Sequence, residues 1–198
     1  MTNLDADMRA ILSEELDWYY LKGKTVLITG ANGFIGSYIV LLLDFLNREF
    51  NAHIRILCNV RSEITPSSRL KGVFERKAAT FLLYDVSDLN SDHISEVDII
   101  FHAASQASPV HYRSDPVGTL TPNVIGTYNL LNLVKDKPAA EFIFVSSGEV
   151  YGVVAEEKIS ERSFGYMDPM EVRSCSKNNA PKCYQNLGND TSEEAKNI

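Results

Sequence analysis

From residue 25 onward the hydrophobic positions alternate between two habits, short unbroken apolar runs and longer stretches with helical spacing. Thr25 to Thr29, His53 to Val60, Ala79 to Tyr84, Asp98 to Ala104 and Glu141 to Ser146 are apolar runs of the kind that buried strands need. Between the first two, Phe34 to Phe50 places Ile35, Ile39, Val40, Leu42, Leu43 and Leu46 on a helical surface wide enough to cover a sheet. Pro66 opens a short helix through Phe74, and Asp115 to Lys135 reads as a long one. Strands alternating with helices predict an α/β fold built on a doubly wound parallel sheet.

The two ends of the chain depart from this alternation. Leu4, Met8, Ile11, Leu12 and Leu16 form the stripe of an amphipathic helix, and Trp18, Tyr19 and Tyr20 follow as an aromatic anchor. Residues 1–21 therefore read as a helical preface on the outside or edge of the domain. After Gly152 regular periods fade, and from Ser174 the chain is rich in Asn, Lys, Ser and Glu, so 178–198 is expected to be a loose tail.

Composition removes several classes of function. A net charge of −7 without a dense Lys/Arg cluster argues against nucleic acid or an acidic membrane surface as partner. No apolar stretch approaches the ~20 residues that span a bilayer, and no leader pattern opens the chain, so a cytoplasmic location is expected. Cys58, Cys175 and Cys183 have no paired spacing, which predicts neither a disulfide nor a metal site.

Chemistry enters at Lys24 to Gly36, where the first strand stops at Gly30 and a helix begins at Phe34. Such a junction aims backbone N–H groups and the positive end of the helix dipole at an anion, and a dinucleotide pyrophosphate is the usual guest. Gly30 suits the tight turn, Gly33 the close approach of backbone to phosphate, and Gly36 the close packing of helix on strand. The plainer alternative is three glycines that only punctuate a strand and a helix.

In a doubly wound sheet the ligand lies across the carboxyl ends of the strands. The second strand ends Asn59-Val60-Arg61, without the acid that normally grips the adenosine ribose. Arg61 suits an adenine face or a 2′-phosphate, which tilts the cofactor toward NADP, or else is a solvated arginine. Asp85-Val86 ends the third strand as an adenine contact or a helix cap. The fourth strand ends His102-Ala103-Ala104-Ser105, whose small residues let backbone approach a dinucleotide, while His102 reads as a histidine held by core hydrogen bonds. Asn123 is suited to brace strand ends from the long helix. The fifth strand delivers Ser146, Ser147, Gly148 and Glu149, hydroxyls and a carboxylate able to polarise a sugar carbonyl and move a proton, or simply a polar turn.

Five stretches in order resemble the extended short-chain dehydrogenase/reductases, specifically the NAD-dependent nucleotide-sugar epimerases and dehydratases. They are Thr-Gly-Ala-Asn-Gly-Phe-Ile-Gly (29 to 36), Tyr-Asp-Val (84 to 86), Phe-His-Ala-Ala-Ser (101 to 105), Asn-Val-Ile-Gly-Thr (123 to 127) and Val-Ser-Ser-Gly-Glu-Val-Tyr-Gly (145 to 152). Within that family the chain looks most like sugar-nucleotide dehydratases and UDP-glucuronate decarboxylases. The resemblance covers about 22–177 and implies a Rossmann-like domain that binds NAD, with NADP as the alternative, through Gly30, Asn32, Gly33, Phe34, Ile35, Gly36, Arg61, Asp85, Val86, Ala103, Ala104, Ser105, Asn123 and Val145. It implies a nucleotide-sugar substrate, and members often dimerise through the long helix and the helix after the fifth strand. Ser147 stands at the catalytic Ser/Thr and Glu149 at the acid-base carboxylate, while Gly148 in place of an Asp favours decarboxylase or epimerase over dehydratase.

One element of the resemblance fails. The family's Tyr-x-x-x-Lys pair supplies the base for hydride transfer, yet after Arg173-Ser174-Cys175 this chain gives Ser176-Lys177-Asn178-Asn179. The single Tyr-x-x-x-Lys match, Tyr20 to Lys24, straddles the start of the first strand and reads as chance. Little turnover is therefore expected, from what looks like the cofactor half of an enzyme in truncated or frame-shifted form; a non-catalytic dinucleotide-binding module or partner subunit is the alternative.

Overall fold

A computed structural model describes residues 3–106, 114–154 and 158–166. The chain divides into two units, 1–104 with 126–145 and 105–125 with 146–198.

The first unit holds the sheet. Its strands are β1 (Thr25–Thr29), β2 (Arg55–Val60), β3 (Thr80–Leu83), β4 (Ile99–His102) and β5 (Glu141–Phe144). All pair in parallel, in the order β3-β2-β1-β4-β5. β1 is buried at every position because helices cover both faces, which is why its sequence is continuously apolar or β-branched rather than alternating. Val26, Ile28, Ile56, Cys58 and Val60 pack with Val40, Leu43 and Phe45 of α2 (Phe34–Phe50) on one face. Leu27, Leu57 and Ile100 face the other way, onto Leu130 and Leu133 of a helix at Thr127–Val134. This period of two, with a helix on each side, is the doubly wound, Rossmann-like arrangement expected.

The preface is a helix, α1 (Asn3–Leu12), followed by a 3₁₀ turn at Trp18–Leu21. Met8 is fully buried with α2, and Trp18 packs against the same cluster. Tyr19 does not anchor anything so deep, being 75% exposed, and Leu16 lies outside the helix and is exposed. Also on α2, Asp44 is buried and takes Arg48 Nε at 3.1 Å and an Arg76 guanidinium nitrogen at 2.7 Å, joining α2 to the end of α3 (Lys71–Glu75).

Two helices differ from expectation. Residues 66–70 form turns rather than the first part of α3, because Leu70 is drawn fully into the core. The stretch Asp115 to Lys135 is divided into α4 (Pro116–Thr121), a π-turn (Pro122–Gly126) and α5 (Thr127–Val134). Pro122 has no N–H to donate, so the regular i to i−4 ladder breaks where it stands.

In the second unit, Asp115 caps α4, its Oδ1 accepting the Gly118 N–H at 2.9 Å. Val153 pairs with Tyr166 in an isolated bridge. The expected loose tail, 178–198, lies outside the described residues.

Candidate functional site

The carboxyl ends of β1 and β4 meet at Gly30. Gly30 has φ +63°, a conformation that costs a non-glycine residue, and a Cβ there would stand 2.9 Å from Ala103 O and from the Ala104 amide nitrogen. Both the turn and the backbone of the fourth strand thus require glycine. Gly36 is a tighter case still, since a Cβ on it would come within 2.4 Å of Gly30 O, so α2 lies directly on the turn. The turn is tied by Gly33 N–H to Gly30 O at 2.9 Å and by Ala31 N–H to Asn59 O at 3.1 Å.

Gly33 is the N-cap of α2 and supplies no side-chain cap bond. The first-turn amides of a helix have no partner within it, and here no capping oxygen from residue 33 meets them. Small backbone, close approach and an uncapped N-terminus of a 17-residue helix fit a dinucleotide pyrophosphate. Asn32, Phe34 and Ile35 are exposed around this turn.

Thr29 and His102, paired across β1 and β4, hold the arrangement together. Thr29 Oγ1 lies 2.7 Å from His102 Nδ1 and accepts the Ala104 N–H at 3.2 Å. Both residues are buried, and His102 lies edge-on to Phe144, so it is a core histidine as its apolar strand predicts. The role of Thr29 was not legible beyond its β-branched character, because it depends on which strands pair and in what register. Val145 N–H extends the β4–β5 ladder to His102 O at 3.0 Å.

On the β2 side of the turn, Asn59 is buried, its Nδ2 donating to Tyr84 O, just beyond β3, at 2.9 Å and more weakly to Leu82 O at 3.4 Å. Arg61 follows it and is exposed. Asp85 is seen in its capping role: Oδ1 accepts from Ser87 N at 3.0 Å and Ser87 Oγ at 2.7 Å. Val86 is buried, and a Cβ on Gly126 would meet its Cγ1 at 2.8 Å, so α5 packs closely there. Burial pushes the Cys58 thiol up to about 12, which leaves it an inert core group.

The remaining sequence candidates belong to the second unit. Asn123 is buried and donates to Thr119 O at 2.7 Å, a backbone bond inside its own helical segment. Ser105 Oγ is buried and has no hydrogen-bond partner among the described residues. Ser147 is half-buried, and its carbonyl accepts the Val150 N–H at 3.1 Å in the turn Gly148–Tyr151. The backbone of Glu149 lies in that turn; its side chain is outside the described part. Among the described residues no cluster of metal-ligating side chains occurs, and no helix is long and apolar enough to cross a membrane.

A profile of the NAD dependent epimerase/dehydratase family matches residues 26–193. The chain belongs to that family. It is 34% identical over 158 residues to UDP-glucuronic acid decarboxylase 2 of Arabidopsis thaliana, an overlap covering 78% of this chain and 32% of the relative. It is 33% identical over 159 residues to UDP-glucuronic acid decarboxylase 1 of Xenopus tropicalis, covering 77% and 34%. The chain thus spans about a third of the length of these curated relatives. Among solved structures, the fold is shared with UDP-glucose 4-epimerase from Bifidobacterium longum in complex with NAD+ and UDP, at TM-score 0.64 and 22% identity, over 82% of this chain and 48% of that one. It is shared too with UDP-glucuronic acid 4-epimerase from Bacillus cereus in complex with UDP-glucuronic acid and NAD, at TM-score 0.63 and 22% identity, over 83% and 52%.

Proposed function

We propose that this chain is the dinucleotide-binding part of a nucleotide-sugar enzyme of the UDP-glucuronate decarboxylase type. The observation that carries the reading is the glycine turn, where Gly30 and Gly36 leave no room for a Cβ and α2 presents an N-terminus without a side-chain cap. The pyrophosphate would rest on that N-terminus, with Ala103 and Ala104 keeping the approach open. Bound NAD supplies a hydride acceptor at a sugar carbon. Ser147 would hydrogen-bond the sugar hydroxyl or keto oxygen, and Glu149 would hold and release a proton at the sugar during decarboxylation or epimerisation.

The base for the hydroxyl proton is missing from these residues. Tyr20 and Lys24 cannot serve, because Tyr20 donates to the carboxylate of Glu141, the first residue of β5, and Lys24 immediately precedes β1. Both stand at the amino ends of parallel strands, opposite the edge where the glycine turn lies. The Lys24 ammonium sits 3.4 Å from the centre of the Tyr20 ring, a cation–π contact and not a helical pair aimed at a substrate. Loss of a general base costs about 10²–10⁴-fold in rate, so the 198-residue chain by itself should bind dinucleotide and turn over little.

That same absence favours a second reading, a non-catalytic dinucleotide-binding module. Titration with NADH and NADPH followed by fluorescence, paired with a turnover assay on UDP-glucuronate, separates the two. Binding with trace turnover supports an enzyme lineage lacking its base, binding with none supports the module, and binding of neither NADH nor NADPH removes both.

A further inference from the structure

We propose that the connection from β2 to α3 is a receptor for a 2′-phosphate, so that this chain prefers NADP(H) to NAD(H). The inference rests on the dinucleotide reading above and concerns which dinucleotide the glycine turn receives.

A ribose 2′-hydroxyl is normally gripped by a carboxylate at the end of the second strand, whereas a 2′-phosphate needs a cation there. β2 is in register with β1, Asn59 opposite Thr29, so the residues level with the glycine turn are Val60 and Arg61. None of the β2 side chains at that level offers a carboxylate. Asn59 is spent on the carbonyls of Leu82 and Tyr84, Cys58 and Val60 are buried in the core, and Arg61 is exposed as the first residue beyond the strand.

The structure adds a second cation that sequence order alone does not place. The chain after Arg61 turns back onto the glycine loop, where Ser68 Oγ donates to Asn32 Oδ1 at 2.6 Å. Leu70, two residues on, is fully buried and fixes this return. Between them Arg69 lays its guanidinium over the ring of Phe34, 5.2 Å from its centre. Phe34 is the first residue of α2, so Arg69 stands on the rim of the helix N-terminus. A guanidinium stacked on a ring is held in place yet keeps its N–H fork, and that fork matches a phosphate.

Residues 61–70 carry two exposed arginines, Arg61 and Arg69, with Ser62, Thr65, Ser67 and Ser68 between them in sequence, and one carboxylate, the exposed Glu63. The charge and hydroxyls of this connection suit a phosphomonoester.

The test is equilibrium binding of NADPH and NADH to the full 198-residue chain by fluorescence, with 2′-phospho-AMP and 5′-AMP as competitors. NADPH should bind about tenfold or more tighter than NADH, and 2′-phospho-AMP should compete better than 5′-AMP. Arg61→Ala and Arg69→Ala should each shrink that preference about tenfold, with unchanged thermal melting showing that the fold persists. Equal or tighter binding of NADH overturns the proposal and leaves the dinucleotide reading standing. A preference for NADPH that both substitutions leave intact also overturns it, and binding of neither dinucleotide removes both readings.

Discussion

Thr29 and His102 share a hydrogen bond of 2.7 Å between Oγ1 and Nδ1, buried where β1 and β4 end side by side. Since the same oxygen accepts the Ala104 N–H, the pair sets the height of the Ala103–Ala104 backbone above Gly30. Replacing Thr29 with Val keeps the shape and removes the shared hydroxyl. That substitution should cost about 1–3 kcal/mol of stability, read by urea denaturation, and should weaken dinucleotide binding. Unchanged stability would mean the hydroxyl is not what joins the strand ends.

Gly36→Ala should be worse than its one added methyl suggests. The new Cβ would meet Gly30 O at 2.4 Å, and backbone on both sides cannot yield as a flexible side chain would. A loss of about 1–3 kcal/mol, together with loss of NADH binding, is expected from overpacking at this contact. At Gly148, where a Cβ meets none of the described residues within 4 Å, the same substitution should leave the melting temperature where it was.

Asp44 offers a control remote from the glycine turn. Its buried carboxylate takes both Arg48 and Arg76, whose own side chains are 43% and 51% exposed. Asp44→Ala should therefore destabilise by about 1–3 kcal/mol, because the arginines regain water while the α2–α3 link is lost. The change should leave the glycine turn intact and NADH affinity within about twofold of the parent.

Cys58 gives a pH-dependent outcome. Its folded-state value is raised from 9.0 to about 12 by burial, so the folded chain keeps the thiol proton where the unfolded chain releases it. Stability from this group is complete below pH 9 and is lost as pH climbs from 9 toward 12. With Cys175 and Cys183 changed to Ser, a thiol reagent at pH 8 should label Cys58 only as fast as the protein opens.

Much of this arrangement was readable from residue order. β1 and the whole of α2 have the predicted bounds, because a strand buried on both faces and a long amphipathic helix each leave a strong periodic signal. The other strands are one to two residues shorter at one or both ends than their apolar runs, since apolar character continues where ladder pairing stops. Less was readable where distant residues meet. The tie between Thr29 and His102 depends on strand register, and the return of Ser68 and Arg69 to Asn32 and Phe34 depends on the burial of Leu70. The break at Pro122 could have been foreseen from its missing N–H, which weighed less than the surrounding helical period.

Whether the glycine turn holds a dinucleotide is decided by fluorescence titration of the purified chain with NADH and NADPH. Saturable binding of at least one of them is expected, abolished by Gly30→Val, whose branched side chain would be forced into a φ of +63° against Ala103 and Ala104. No saturable binding of either, or binding that survives Gly30→Val in a folded protein, would contradict the dinucleotide reading.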